Sequence, residues 1–155
     1  MEILYLFITV LMASMVLLPF FGVKIKGIIA LCAVTLITLL SSYPAVLSLT
    51  GTNTEFIFSG SVVTGAIPVR IDSLSGWFIL VINFTFLTGA FYGFQYLRAY
   101  LNKVDSVIYT LHCISFILAH SSLIAICSLQ NGMAFLMAWE IMALSAFILV
   151  IFEHY

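Results

Sequence analysis

One carboxylate, Glu140, lies in the middle of an apolar run that extends from Met133 to Phe152. The run is long enough to cross a bilayer, because about 20 apolar residues at ~1.5 Å per residue span the hydrocarbon core. Glu140 would then lie near the middle of the membrane, where an ionisable side chain costs roughly 2.5–3.5 kcal/mol to insert. Such residues commonly mark ion or proton pathways. The sequence therefore predicts that Glu140 changes its protonation state or switches between partners; the alternative is a structural carboxylate bound to a neighbouring helix.

The spacing of His120 places it at the same predicted depth as Glu140. Both lie ten residues from Gln130, which we interpret as the turn between two antiparallel helices. A His–Glu pair would lower the cost of burying the carboxylate and would offer the proton a neighbouring base. His112 lies about two helical turns from His120 on the same broad helix face, so one prediction is a path Glu140–His120–His112. The alternative is that His120 bonds a backbone carbonyl or a nearby serine hydroxyl.

Glu140 has no obvious cationic partner in the sequence. The lysines and arginines lie outside the apolar runs or at their ends: Lys24, Lys26, Arg70, Arg98 and Lys103. Glu140 must therefore be protonated, hydrated, paired with His120, or paired with a cation on another chain segment. Asn83 and the threonines of the third apolar run are expected to form hydrogen bonds between helices.

The composition is that of an integral membrane protein. Of the 155 residues, 64% are hydrophobic and 7% are charged, and the mean hydropathy is +1.26. Soluble domains carry about 25% charged residues. No basic patch suggests a nucleic-acid partner. The three cysteines have no metal-ligand spacing, and no phosphate-binding motif is present. The sequence therefore predicts no cofactor, no metal and no catalytic centre in this chain, and a lipid bilayer as its surroundings.

The predicted fold is all-α, a single membrane domain over residues 1–155 with five transmembrane helices. Their predicted ranges are 3–21, 27–49, 74–96, 107–129 and 133–152. Pro44 is expected to kink or end the second helix near Ser42. Residues 50–71 contain several glycines and short β-type runs at 56–58 and 62–63. These features predict a β-hairpin-like loop outside the membrane.

The third predicted helix carries two further signals. Asp72 precedes it and is a suitable N-cap for its first backbone amides. Gly89 and Gly93 follow Thr85 at intervals of four residues. They form a smooth stripe that predicts close packing against another helix.

The distribution of basic residues predicts the orientation. Lys24, Lys26, Arg98 and Lys103 fall on the side reached after the first and third helices, whereas Arg70 lies on the other side. The positive-inside rule then places the N-terminus and the hairpin outside and the C-terminus in the cytoplasm. We therefore expect a multi-pass protein of the cell inner membrane.

The fifth predicted helix resembles a helix of a known family. The run Phe135–Ser145, FLMAWEIMALS, followed by Leu149 and Val150, is similar to the fifth helix of the antiporter-like membrane subunits. These subunits belong to respiratory complex I and to the membrane-bound nickel–iron hydrogenases.

Two other segments carry the same resemblance. Val69–Ser75 looks like the Asp-x-Leu-Ser start of the family's third helix, and Tyr92 and Tyr96 resemble the tyrosines that end it. The resemblance covers residues 69–155 and is strongest to the branch of hydrogenase-4 component B and formate hydrogenlyase subunit 3.

The resemblance implies a proton-carrying role for Glu140. In the family, a glutamate of the fifth helix pairs with a lysine on the seventh helix, and further lysines or histidines continue the proton path. Glu140 matches that glutamate, whereas His120 stands where the family has an apolar residue. Family members have many more helices, so we expect an N-terminal fragment, a truncated reading frame or one part of a split subunit.

The leading functional hypothesis is the N-terminal part of a proton-translocating subunit in a hydrogenase- or NADH-dehydrogenase-type complex. The resemblance implies that its partners are other membrane subunits and missing C-terminal helices, which would supply a lysine for Glu140. The redox chemistry would belong to partner subunits. One alternative is a subunit of a multisubunit Na⁺/H⁺ antiporter, which shares this fold. Another is an inactive structural remnant that helps assembly.

Overall fold

Five helices long and apolar enough to cross a membrane make up most of the structure. It is a computed structural model that describes residues 2–60, 64–98 and 105–152, with the backbone alone at 97 and 98. The helices are α1 (Glu2–Leu17, extended by a 3-10 turn at Leu18–Phe20), α2 (Val23–Leu49), α3 (Ser73–Arg98), α4 (Ser106–Ser128) and α5 (Gly132–Ile151).

The largest difference from the predicted helices is at α2. It begins at Val23, so Lys24 and Lys26 lie in its first turn and not in a loop before it. The helix also continues through Pro44 to Leu49, so the prediction that it could end near Ser42 is wrong. Pro44 is buried. Packing around a proline can compensate for the lost helical hydrogen bond, which is how membrane helices tolerate it.

The segment between α2 and α3 contains the predicted hairpin. Strands β1 (Thr54–Phe58) and β2 (Ile67–Ile71) pair antiparallel, with Phe56 opposite Val69. The first strand includes the predicted run at 56–58, whereas the predicted run at 62–63 lies outside the described residues. On one face of the hairpin, Arg70 Nε lies 3.4 Å from Glu55 Oε1. We call this end of the bundle the hairpin end.

Asn131 joins the hairpin to the start of α5. Its Oδ1 accepts hydrogen bonds from the backbone amides of Met133 (3.0 Å) and Ala134 (3.1 Å), which caps the helix. Its Nδ2 donates to the carbonyls of Thr64 (2.9 Å) and Ala66 (3.1 Å). One side chain therefore fixes both the helix start and the loop beside it.

At α3, the predicted N-cap is confirmed. The backbone amide of Ser75 donates to Asp72 Oδ1 at 2.8 Å. This hydrogen bond holds the pKa of the Asp72 carboxyl below its usual value, because it stabilises the ionised form.

The core lies between α2, α3 and α4. Its fully buried apolar side chains include Val34, Ile37, Ile79 and Ile117. Helices α2 and α3 approach closely at Gly76, where an added Cβ would lie 2.7 Å from the carbonyl oxygen of Ala45. By contrast, the buried residues of α5 are Ala138 and Ser145, and α5 packs mainly against α4. The structure therefore consists of a packed three-helix centre with α1 and α5 at its edges.

Candidate functional site

Glu140 lies on the face of α5 that points away from the bundle. Apart from Ile151 at its end, the half-buried and buried residues of α5 form one helical stripe: Ala134, Ala138, Met142, Ser145 and Leu149. Glu140 follows Ala138 by two residues, which is a rotation of about 200° around the helix. Its side chain is exposed, and it forms no hydrogen bond or ion pair with any residue that the structure describes.

The surface around Glu140 is apolar. The side chains one and two turns away on the same face are more than half exposed: Leu136 53%, Met137 56%, Leu144 58% and Phe147 62%. At membrane depth this face would put an ionisable group directly against hydrocarbon, unless another polypeptide covers it. The carboxylate therefore has a position but no partner within the described part of the chain.

His120 is completely buried inside the bundle. Its Nε2 lies 3.0 Å from Oδ1 of Asn83 on α3. The ring stacks on Phe86 with a centroid separation of 4.7 Å and an interplanar angle of 11°. His120 is thus held by α3 and not by α5.

Asn83 is the centre of a hydrogen-bond cluster between three helices. Its Nδ2 donates to the hydroxyls of Ser41 (2.8 Å) and Ser42 (2.9 Å) and to the carbonyl of Thr38 (3.4 Å) on α2, while Oδ1 faces His120 on α4. The prediction that Asn83 bonds between helices is confirmed. Sequence reasoning did not identify the α2 partners, whose consecutive hydroxyls at 41 and 42 were the available signal.

The same prediction is wrong for two threonines of α3. Thr85 donates to the carbonyl of Val81, and Thr88 donates to the carbonyl of Phe84, both at 2.9 Å within their own helix. A helical hydroxyl always has such a carbonyl in reach, so it needs no partner on another helix.

The structure does not bring Glu140 and His120 together. The spacing from Gln130 predicts a similar depth for both residues, but Glu140 is exposed on α5, whereas His120 is buried against Asn83 on α3. The bond of His120 to Asn83 is also different from the carbonyl or serine partner considered above.

His112 lies farther from the hairpin end, beside a cavity of about 50 Å³ between α2, α3 and α4. Its Nδ1 is buried and has no hydrogen-bond partner among the described residues. Phe116 also lines this cavity and packs on Phe86 at 5.1 Å, which in turn covers His120. Two phenylalanine rings therefore separate the surroundings of the two histidines.

Gly89 and Gly93 line the same cavity. A Cβ at Gly89 would meet the ring of Phe116 at 3.5 Å, an ordinary contact, and a Cβ at Gly93 would have no neighbour within 4 Å. The glycine of α3 that lies close to α2 is Gly76, and not Gly89 or Gly93.

Lys26 is an unexpected buried cation. It is 2% exposed, and its Nζ donates to Ser106 Oγ (2.6 Å), Thr110 Oγ1 (2.7 Å) and the Ser106 carbonyl (3.2 Å). These groups belong to the first turns of α4, so Lys26 binds α2 to α4 at the end opposite the hairpin. It does not serve Glu140 as a partner.

Among the residues that the structure describes, no group of three or more His, Cys, Asp or Glu side chains could hold a metal ion. No model of a known protein family matches the chain, and no curated protein matches it.

Proposed function

We propose that this chain is the N-terminal part of a proton-translocating membrane subunit and that Glu140 is its proton carrier. The observation that supports this most directly is the position of Glu140, exposed on an apolar helix face with no partner among the described residues. A carboxylate that served only to hold this bundle together would be bonded within it, as Asn83 is. The resemblance of the α5 sequence to antiporter-like subunits gives the same assignment.

The mechanism follows from two opposing effects on the carboxyl group. An apolar environment favours the neutral acid, whereas a nearby cation favours the carboxylate. A cation on a neighbouring helix that approaches and withdraws from the exposed face of α5 would make Glu140 release and bind a proton in turn. The resemblance supplies a lysine as that cation, on a further helix of the subunit.

The proposal includes an orientation. The chain would lie in the cell inner membrane with the hairpin outside, because Lys24 and Lys26 lie at the opposite end of α2. His120 and His112 would belong to the interior of the bundle. They do not contact Glu140, so protons would pass between them and Glu140 only through intervening groups.

The test is Glu140→Gln, which keeps the size of the side chain and removes its titration. We expect proton movement, measured with a pH-sensitive dye in membrane vesicles that contain the parent complex, to be abolished while assembly remains intact. The matched control is Glu55→Gln, which removes an exposed carboxylate of the hairpin and should leave proton movement unchanged. A Glu140→Gln complex that translocates protons at the normal ratio would exclude the proposal, and sodium measurements in the same vesicles would identify a Na⁺/H⁺ exchanger.

A further inference from the structure

Three buried polar atoms on α2 and α4, the two helices that Asn83 bonds, have no hydrogen-bond partner among the described residues. They are Thr38 Oγ1 on α2 and His120 Nδ1 and Ser121 Oγ on α4. Their residues are 8%, 0% and 5% exposed, and no side chain or backbone group in the described part of the chain bonds these atoms. The residues are linked through Asn83: its amide contacts the Thr38 carbonyl at 3.4 Å and His120 Nε2 at 3.0 Å, and Ser121 follows His120 in α4. Buried polar groups are nearly always hydrogen-bonded, so the three unpaired atoms indicate a bound ligand.

The two hydroxyls are unusual for their helices. In α2, Thr35 donates to the Leu31 carbonyl at 2.8 Å, and in α4, Ser122 donates to the Ala119 carbonyl at 3.1 Å. Thr38 and Ser121 have similar carbonyls within reach but do not bond them. Their hydroxyl groups are therefore available for a different partner.

The hydrogen bonds of Asn83 determine what His120 can bind. Because Nδ2 of Asn83 faces the Thr38 carbonyl, which can only accept, Oδ1 must be the atom that faces the imidazole. His120 Nε2 therefore carries the hydrogen and donates it to Asn83. In the neutral ring, Nδ1 is then an acceptor that needs an O–H or N–H donor.

The surroundings exclude a charged donor. The helices around His120 carry charged side chains only near their ends, at Lys24, Lys26 and Arg98. Phe86 covers one face of the ring, and the nearest titratable residues of α4, Cys113, Cys127 and His112, lie about two turns away. A small neutral molecule that both donates and accepts hydrogen bonds fits the three atoms.

We propose that Thr38, His120 and Ser121 form an internal binding site for water between α2, α3 and α4. Water donates to Nδ1 of His120 and exchanges hydrogen bonds with the two hydroxyls, which satisfies all three atoms. The site is separate from Glu140, which lies on the far side of α5. It places exchangeable protons beside an imidazole inside the bundle, and it does not depend on the proposed function of Glu140.

The experiment uses the full chain in lipid vesicles with ¹⁵N-labelled histidine. Solid-state NMR measures the transfer of magnetisation from water to the imidazole nitrogens, and His120→Gln assigns the signal. We expect transfer to His120 and an acceptor-type shift at its Nδ1. Thr38→Val and Ser121→Ala should each reduce the transfer by about twofold or more. The matched variants Thr35→Val and Ser122→Ala should leave it unchanged, since those hydroxyls bond their own helix.

Thermal unfolding of the same variants gives an independent result. If water is bound, Thr38→Val and Ser121→Ala lower the unfolding midpoint, because they remove a bonded hydroxyl. If the site is dry, they raise the midpoint, because they remove an unpaired polar atom. Absence of water transfer to His120, or a raised midpoint in both variants, would overturn the proposal. Ser121→Ala removes only the hydroxyl oxygen, so the measurement can still be made with this variant if Thr38→Val does not fold.

Discussion

The interior of the α2–α3–α4 unit and the outer face of α5 carry polar groups at about the same distance from the hairpin end. In the interior, Asn83 bonds α2 through its amide nitrogen and α4 through its amide oxygen. On α5, Glu140 projects from an apolar surface and bonds no described residue. The difference separates two situations for a polar group in an apolar helix: Asn83 completes a contact within this chain, whereas Glu140 has no partner among the described residues.

The largest expected difference between the two regions is in stability. Asn83→Leu leaves the buried His120 Nε2 without a partner and removes the bond of Asn83 to the half-buried Ser42 hydroxyl, and an unpaired buried polar group costs about 1–3 kcal/mol. We expect the free energy of unfolding, measured in detergent micelles, to fall by about 2–4 kcal/mol. Glu140→Leu should leave it unchanged or raise it, because no bond is lost. An equal loss in both variants would show that Glu140 does have a partner inside the bundle.

Much of this comparison could be predicted from the sequence, because it depends on local patterns. The apolar runs located the five helices, and Asp72 and Asn83 were assigned roles that the structure confirms. The similar depth of Glu140 and His120 stays a prediction from their spacing about Gln130.

The direction in which Glu140 points could not be predicted. The residues of α5 are apolar around its whole circumference, so no amphipathic pattern indicates which face packs on α4. Lys26 presents a similar case, because its partners Ser106 and Thr110 lie 80 and 84 positions away. A buried lysine cannot be distinguished from a loop lysine until the helices are packed. The spacing of four between its two partners was the only local signal.

The second expected difference concerns how closely the helices approach within the packed unit. Gly76→Ala would place a Cβ 2.7 Å from the Ala45 carbonyl oxygen, so α2 and α3 must separate. We expect a loss of about 1–3 kcal/mol, typical of overpacking. Gly93→Ala on the same helix meets nothing within 4 Å and should gain about 0.5–1 kcal/mol from helix propensity. Unfolding titrations of the two variants would measure both, and equal effects would contradict the close crossing at Gly76.

The smallest expected difference is in the response to acid at the hairpin end, where α3 is capped by Asp72 and α5 by Asn131. The pKa of Asp72 is lowered in the folded chain, mainly by the Ser75 amide, so its capping contributes stability above its usual value of 3.8. This stability is lost as the pH falls through the lower folded pKa of Asp72.

The amide of Asn131 does not titrate. The stability difference between the native chain and Asp72→Ala, measured as an unfolding midpoint, should therefore shrink below about pH 4. The difference between the native chain and Asn131→Ala should stay constant over the same range. If the effect of Asn131→Ala on the unfolding midpoint also shrank with acid, the starts of α3 and α5 would unfold as one unit. The packed centre and α5 would then not differ at the hairpin end.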